Sequence, residues 1–257
     1  MSGFWAALRF LTVLPAPSDW GVDTDALSRS KPWFPVIGLL IGLAAVAVSL
    51  VLDHLLPDAI ASVLLVAFLL SVSRGLHADG LADTADGFFS NKPRERILDI
   101  MRDSRIGTFG VLALAFVVLL KVAGLDAASN GSRLAAVFLA PMAGRCAMIQ
   151  MLSTLPYARE EGLATVFYSR STRSAVVVST FSLFGLAFAV CGVPGLIVAA
   201  ISTGMTHLFC VKCRRLIGGA TGDTMGAACE LAETAVLALA VAIQVTPPLM
   251  DFLKQDI

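Results

Sequence analysis

Charge is what this sequence has least of. Only 15% of its 257 residues are Asp, Glu, Lys or Arg, while 57% are hydrophobic; an ordinary soluble domain carries about 25% charged residues. A soluble chain of this length must cover its core with a charged surface. The shortage therefore argues against a soluble enzyme, and the apolar content excludes a disordered chain. Net charge is missing too: 19 basic residues balance 19 acidic ones, so no global field exists to draw in nucleic acid. Cysteine is sparse and odd in number, five in all, and scattered in or near apolar runs, which excludes a disulfide framework. Cys210 and Cys213 form a lone CxxC with no second pair nearby, and packing at a membrane edge is their expected role. The apolar stretch from Phe4 to Leu14 is short, is interrupted by Arg9 and lacks a cationic start. It reads as an interfacial amphipathic helix rather than a cleavable signal.

What the chain has in abundance is long apolar runs. A bilayer core of about 30 Å needs about 20 apolar residues of helix. Seven candidate spans meet or approach this: Trp33–Leu52, Ala59–Ser73, Thr108–Leu125, Leu134–Leu152, Ala175–Cys191, Pro194–Val211 and Ala227–Val245. The second is short, with a helix expected to continue past Arg74. The fifth and sixth are separated only by Gly192-Val193-Pro194, as a tight hairpin or one long broken segment. The expected fold is an all-α, polytopic membrane bundle of about seven helices. No repeat, low-complexity tract or linker divides it, so a single domain over 1–257 is expected. Of the 19 Lys and Arg, only Arg133, Lys254, Lys121 and Arg145 fall outside the segments that lie inside when the N-terminus is inside. The positive-inside rule favours that orientation. Asp79, Asp83, Asp86, Asp99, Asp103 and Asp223 then also face the cytoplasm.

Three constellations carry chemistry. In Gly75-Leu-His77-Ala-Asp79-Gly80-Leu-Ala-Asp83-Thr-Ala-Asp86-Gly87 the acids are spaced four and three apart, so on a helix they share one face. Neighbouring carboxylates at about 6 Å repel by about 3 kcal/mol at an effective dielectric near 20. Such a cluster is sensible around a cation, and oxygen-only ligands suit Mg²⁺ or Mn²⁺. A solvated helix face would not account for the interleaved glycines and apolar residues. In Met101-Arg102-Asp103-Ser104-Arg105-Ile106-Gly107-Thr108 two arginines bracket an acid and a hydroxyl; they suit bidentate phosphate binding or the anchoring of a span. In Gly218-Gly219-Ala-Thr221-Gly222-Asp223-Thr224-Met-Gly226-Ala-Ala-Cys-Glu230 a glycine-rich turn opens the last helix. Its amides suit an anion, with capped re-entry into the membrane as the plainer alternative. Glu230 lies seven beyond Asp223, on about the same face.

Tyr157-Ala-Arg159-Glu160-Glu161-Gly162-Leu163 reads on its own as an ordinary polar loop. Arg145 inside the fourth span is expected to face a partner or cavity, and Lys121, near a helix end, to snorkel. His54 and His207 read as structural.

Taken together, these motifs resemble the adenosylcobinamide-GDP ribazoletransferase (cobalamin synthase) family. The resemblance rests on His77-x-Asp79-Gly-Leu-Ala-Asp83-x-x-Asp86-Gly87, Met101-Arg-Asp-Ser-Arg-x-Gly107-Thr108, Tyr157-Ala-Arg159-x-x-Gly162, Gly218-Gly-x-Thr-Gly-Asp223-x-x-Gly-Ala-x-x-Glu230 and the opening Phe10-Leu-Thr12-x-Leu14-Pro15-x-Pro17. It covers nearly the whole chain in order. It implies transfer of the adenosylcobinamide-phosphoryl group from adenosylcobinamide-GDP to α-ribazole or its 5′-phosphate, with Mg²⁺ and release of GMP, late in corrinoid nucleotide-loop assembly. It implies Asp79, Asp83, Asp86 and Asp223 as metal ligands and Asp86 or Asp103 as proton acceptor. His77, Arg102, Arg105, Arg159, Gly219, Thr221, Gly222 and Glu230 would contact substrate or phosphate. The setting would be a bacterial inner membrane, with a homo-oligomer possible. Two rivals stand beside it. A CDP-alcohol phosphotransferase also uses membrane aspartates, but needs an Arg shortly after its first Asp-Gly, where Asp83 stands here. A cation-coupled transporter should place its acids near mid-span, whereas these cluster at the boundary.

Overall fold

The computed structural model describes residues 2–17, 20–162 and 164–242. Among them the secondary structure is helical, with a single isolated bridge between Tyr157 and Ala220. The helices are α1 (Ser2–Leu11), α2 (Thr24–Ser28), a 3₁₀ turn (Lys31–Trp33), α3 (Phe34–Leu55), α4 (Asp58–Val72), α5 (Leu76–Phe88), α6 (Arg94–Ile100), α7 (Thr108–Asp126), α8 (Asn130–Thr154), α9 (Thr165–Tyr168), α10 (Arg173–Ile217) and α11 (Gly222–Ala242). Four are long and apolar enough to cross a membrane: α3 with its 3₁₀ lead, α7, α8 and α10. The bent pair α4–α5 makes up to a fifth. The all-helical membrane architecture is therefore as expected, while the figure of seven spans is not established. The end of the proposed last span, 243–245, and Lys254 lie outside the described residues.

Local chemistry explains the two sharp bends. At Gly192 the backbone adopts φ 61°, ψ −143°, a conformation essentially reserved for glycine. The 45-residue α10 breaks there, and Gly195 lies against the Ala187 carbonyl, so the two limbs double back as a hairpin. Between α4 and α5 the chain turns by 89° through Arg74 (φ 55°) and Gly75 (φ 70°). The Arg74 side chain donates to the Arg9 carbonyl (3.0 Å). With three aspartates on it, α5 reads as lying along the membrane boundary, outside the spanning segments.

The central helix is α8, buried on nearly all sides and packed against α3, α10 and α11. Its Ala135, Ala136, Ala140, Ala143, Gly144 and Ala147 are buried. Small residues let membrane helices approach closely where apolar burial alone gives no drive to associate. On the side away from α5, Arg133 is buried and pairs with Asp53 (2.9 Å), and it donates to Ser62 (3.1 Å) and the Leu125 carbonyl (3.3 Å). It thus gathers the ends of α3, α4, α7 and α8.

Deeper in the bundle, Lys121 of α7 is fully buried and pairs with Glu230 (2.7 Å) and Glu233 (2.8 Å) of α11; Arg145 of α8 pairs with Glu233. Two expectations are corrected here. Lys121 does not snorkel, because its ammonium has two carboxylate partners inside. Glu230 is no substrate contact, because its carboxylate is buried and held by Lys121. Arg145 does face a partner, as expected.

Removing one member of a buried ion pair costs about 3–5 kcal/mol because a charge is left unpaired. Lys121→Met should therefore sharply lower the melting temperature of the detergent-solubilised protein, read by fluorescence-detected size exclusion after heating. The double variant Lys121→Met/Glu230→Gln leaves Glu233 balanced by Arg145 and should recover much of the loss. A double variant no better than the single would refute charge balance as the cause.

Candidate active site

Helix α5 meets the N-terminal end of α11 through its first turns and that of α7 through Asp86, and the loop after α8 joins them. Two backbone contacts tie the loop to α11: the Ala158 amide donates to the Ala220 carbonyl and the Ala220 amide to the Pro156 carbonyl, both at 2.9 Å. This pinning delivers Arg159 to Asp223, with Nη2 to Oδ2 at 2.7 Å. Close approach of α5 to α11 requires a glycine, since a Cβ on Gly80 would sit 2.6 Å from the Asp223 carbonyl oxygen. Asp79, Asp83 and Asp223 thereby share one neighbourhood although the last is far away in sequence.

Two spaces open from it. An open recess of about 480 Å³ is bordered by Arg74, Asp79, Asp83 and Ser104. A more enclosed pocket of about 270 Å³ is bordered by His77, Asp79, Arg159, Gly222 and Asp223 and by the aromatic residues Phe10, Phe34, Tyr157 and Phe167. Leu76 and Asp79 border both. Half-buried Asp83 feels this crowding: burial, then the charges of Asp79, Asp223 and Asp86, push its carboxyl up to about 7. Burial also raises Asp223, with Arg159 acting against it.

Several candidate residues serve other ends. Asp86 accepts hydrogen bonds from the amides of Gly107 (2.7 Å) and Gly110 (2.9 Å). It caps α7, which satisfies orphan donors at that helix start, and so is a poor choice of proton acceptor. Asp103 is held at two points by Arg105 (3.0 and 2.7 Å). The Arg105 guanidinium keeps its carboxyl down at about 2, which removes it as a general base near neutrality. Arg105 itself is largely exposed on that pair, and Arg102 is exposed near Tyr157. Thr221 is buried and forms a reciprocal cap with Thr224: its amide donates to the Thr224 hydroxyl (2.8 Å) and its hydroxyl accepts from the Thr224 amide (3.2 Å). Thr221 is thus a helix cap and not a phosphate contact. Gly219 lies against the Pro156 carbonyl, where a side chain would collide. Gly222 remains at the pocket wall. Arg74 and Ser104 escaped the sequence reading as site residues; Arg74 had registered only as one more boundary charge.

Oxygen-only carboxylates suit a hard cation. Magnesium keeps several waters and binds through one or two carboxylates plus substrate phosphates, so an open acidic recess fits it better than a closed cage would. Among the described residues the trio whose ligand atoms lie within 4.8 Å of one another is His77, Cys229 and Glu233. That trio sits beside Lys121 and Arg145, which already balance Glu230 and Glu233, so a cation has no charge to neutralise there.

The family model for cobalamin-5-phosphate synthase matches residues 3–241. A protein of Roseiflexus sp. (strain RS-1) named adenosylcobinamide-GDP ribazoletransferase is 43% identical over 232 residues, covering 90% of this chain and 86% of its own. Proteins of the same name from Escherichia coli K12 and Citrobacter koseri are 42% and 40% identical, covering 91% and 90% of this chain and 97% and 95% of their own. No solved structure matches the chain.

Because Asp83 has a raised carboxyl pKa in the folded protein, folding favours its protonated form. Between about pH 4 and 7 the folded state holds a proton that the unfolded state has lost, so stability falls as pH rises through this window and levels off above it. The advantage of Asp83→Asn over wild type in melting temperature, without divalent cation, should therefore grow from pH 5 to pH 7. A difference that is constant with pH would show that Asp83 is not crowded by its neighbours.

Proposed function

From the premise that the chain belongs to the cobalamin-5-phosphate synthase family, we propose that it transfers the adenosylcobinamide-phosphoryl group from adenosylcobinamide-GDP to α-ribazole or its 5′-phosphate and releases GMP. The observation that carries the chemistry is the meeting of Asp79, Asp83 and Asp223 with Arg159 at the membrane boundary, between an open polar recess and an enclosed pocket. A diphosphate needs its charge neutralised before a nucleophile can approach. Asp83 and Asp223 would hold Mg²⁺, which when bound supplies that neutralisation and polarises the phosphoryl oxygens. The exposed Arg102 would add cationic charge for the departing GMP, and Arg105 would do so on releasing Asp103.

In the step itself, a ribose hydroxyl of the acceptor forms a new bond to the phosphorus on the corrinoid side. The bond from that phosphorus to the GMP oxygen breaks, and GMP leaves with the electron pair. The hydroxyl proton passes to a carboxylate. With Asp86 committed to capping and Asp103 to Arg105, Asp79 is the group best placed to take it, being exposed and common to both spaces.

The rivals lose ground on specific residues. The acids buried within the bundle, Glu230 and Glu233, which a cation-coupled transporter would need free, are paired with Lys121 and Arg145. A CDP-alcohol phosphotransferase would need an Arg where Asp83 stands. Purified protein should release GMP from adenosylcobinamide-GDP only when ribazole and Mg²⁺ are both supplied. Asp83→Asn should fall below about 1% of that rate, since losing even an outer-shell partner of a metal ligand costs about 10–100-fold, and its Mg²⁺-induced melting shift should shrink. Release of CMP from a CDP-alcohol instead would overturn the assignment.

The inner membrane of a bacterium is the proposed location, with the site facing the cytoplasm. The boundary that holds α5, α6 and the start of α7 is where the basic residues gather, as the positive-inside rule requires. A cysteine introduced at Lys92 should react with an impermeant maleimide only after the inner face is opened; labelling in intact spheroplasts would reverse the orientation.

A further inference from the structure

The enclosed pocket has two chemically different ends. Asp79 is exposed and Arg159 and Asp223 half-buried, which makes them its rim; Phe34, Met148 and Phe167 are buried, and half-buried Phe10 stands against them. The three phenylalanines come from α1, the start of α3 and α9, yet their ring centroids lie 5.2, 5.6 and 6.2 Å apart. The wall they make is held by a buried cation: the Lys31 ammonium donates to the carbonyls of Phe167 and Arg170, both at 2.5 Å. A four-residue helix such as α9 has no stability of its own, so Lys31 is what keeps Phe167 in place. Nothing in the phosphoryl chemistry of the rim calls for an aromatic chamber behind it.

We propose that this pocket is the acceptor subsite, taking the flat aromatic base of the riboside and leaving its ribose at the Asp79–Asp223 rim. The inference rests on the transferase reading and deepens it. Three groups on the two substrates compete for the space. The corrin macrocycle is too large for an enclosed pocket of about 270 Å³. Guanine carries several hydrogen-bonding groups along its edges, and beside Phe10, Phe34, Met148 and Phe167 only His77 and Tyr157 could answer them, so most would be left unpaired, which a binding site strongly rejects. A benzimidazole has carbon edges and one free ring nitrogen, so it loses little on entering and gains edge and face contacts with the rings. His77 borders the same pocket with its Nε2 buried and without a hydrogen-bond partner, and it is left to meet that one nitrogen. The guanosine diphosphate portion of the donor is then assigned to the open recess beside Arg74 and Asp83, across Asp79.

The test is a comparison of the two Michaelis constants. Phe10 is only half-buried, so Phe10→Ala should fold; Phe167→Leu is the conservative second variant at the buried wall. In each, KM for ribazole should rise about ten-fold, the scale of losing part of an apolar contact surface, while KM for adenosylcobinamide-GDP stays within about two-fold. Direct titration of the solubilised protein with ribazole alone should show the same weakening. If wild-type protein neither binds nor consumes ribazole, the transferase reading itself falls. If wild type is active but both variants keep the wild-type KM for ribazole, or raise that for the donor as much, the pocket is not the acceptor subsite.

Discussion

The ion cluster of Lys121, Arg145, Glu230 and Glu233 is the constraint on which the other parts depend. Inside a membrane no water solvates a charge, so each of these groups must find its partner in the bundle. Two acids and two bases satisfy one another, and in doing so they lock α7, α8 and α11 in rotation as well as in depth. Glu230 is seven residues from Asp223, about two turns or 10 Å along the axis and nearly the same face. Turning Glu230 toward Lys121 therefore also turns Asp223 toward α5. The position of the acidic site at the boundary follows from a pairing in the interior.

The sequence carried the helical architecture, the break at Gly192 and the kinship of the motifs, because each of these is written in local composition or spacing. What it could not convey is which charge meets which. Lys121 and Glu230 are separated by 109 residues, and their meeting depends on the relative rotation of two helices, which a pattern of apolar residues leaves open. The same limit hid the role of Asp86. Its spacing to Asp83 is right for a shared face, but the amides of Gly107 and Gly110 that it accepts from belong to another helix. Asp103 is the opposite case: the partner that disables it, Arg105, is two residues away, and the Asp-x-Arg spacing was itself the available signal. Phe10 counted only as the start of a motif, and Phe34 and Phe167 carried no signal of their own, until the fold brought the three together.

The site owes its division into two spaces to the bend between α4 and α5. A residue other than glycine at positive φ costs about 1 kcal/mol or more, and Arg74 sits there at φ 55° beside Gly75 at φ 70°. Two successive left-handed residues turn the chain from along the membrane normal to across it, which is what lays α5 over the N-terminal ends of α7 and α11. The side chain of Arg74 is then at once a border of the open recess and a donor to the Arg9 carbonyl of α1. Through α1 the same contact reaches Phe10, one residue further along and part of the pocket's aromatic wall. Leu76 and Asp79, in the first turn of the redirected helix, border both spaces. Had α4 continued straight, its aspartates would lie along the bilayer normal with no helix starts to meet them. The strain at Arg74 is therefore spent where the polar recess and the apolar pocket are separated, and a carboxylate is left standing between them.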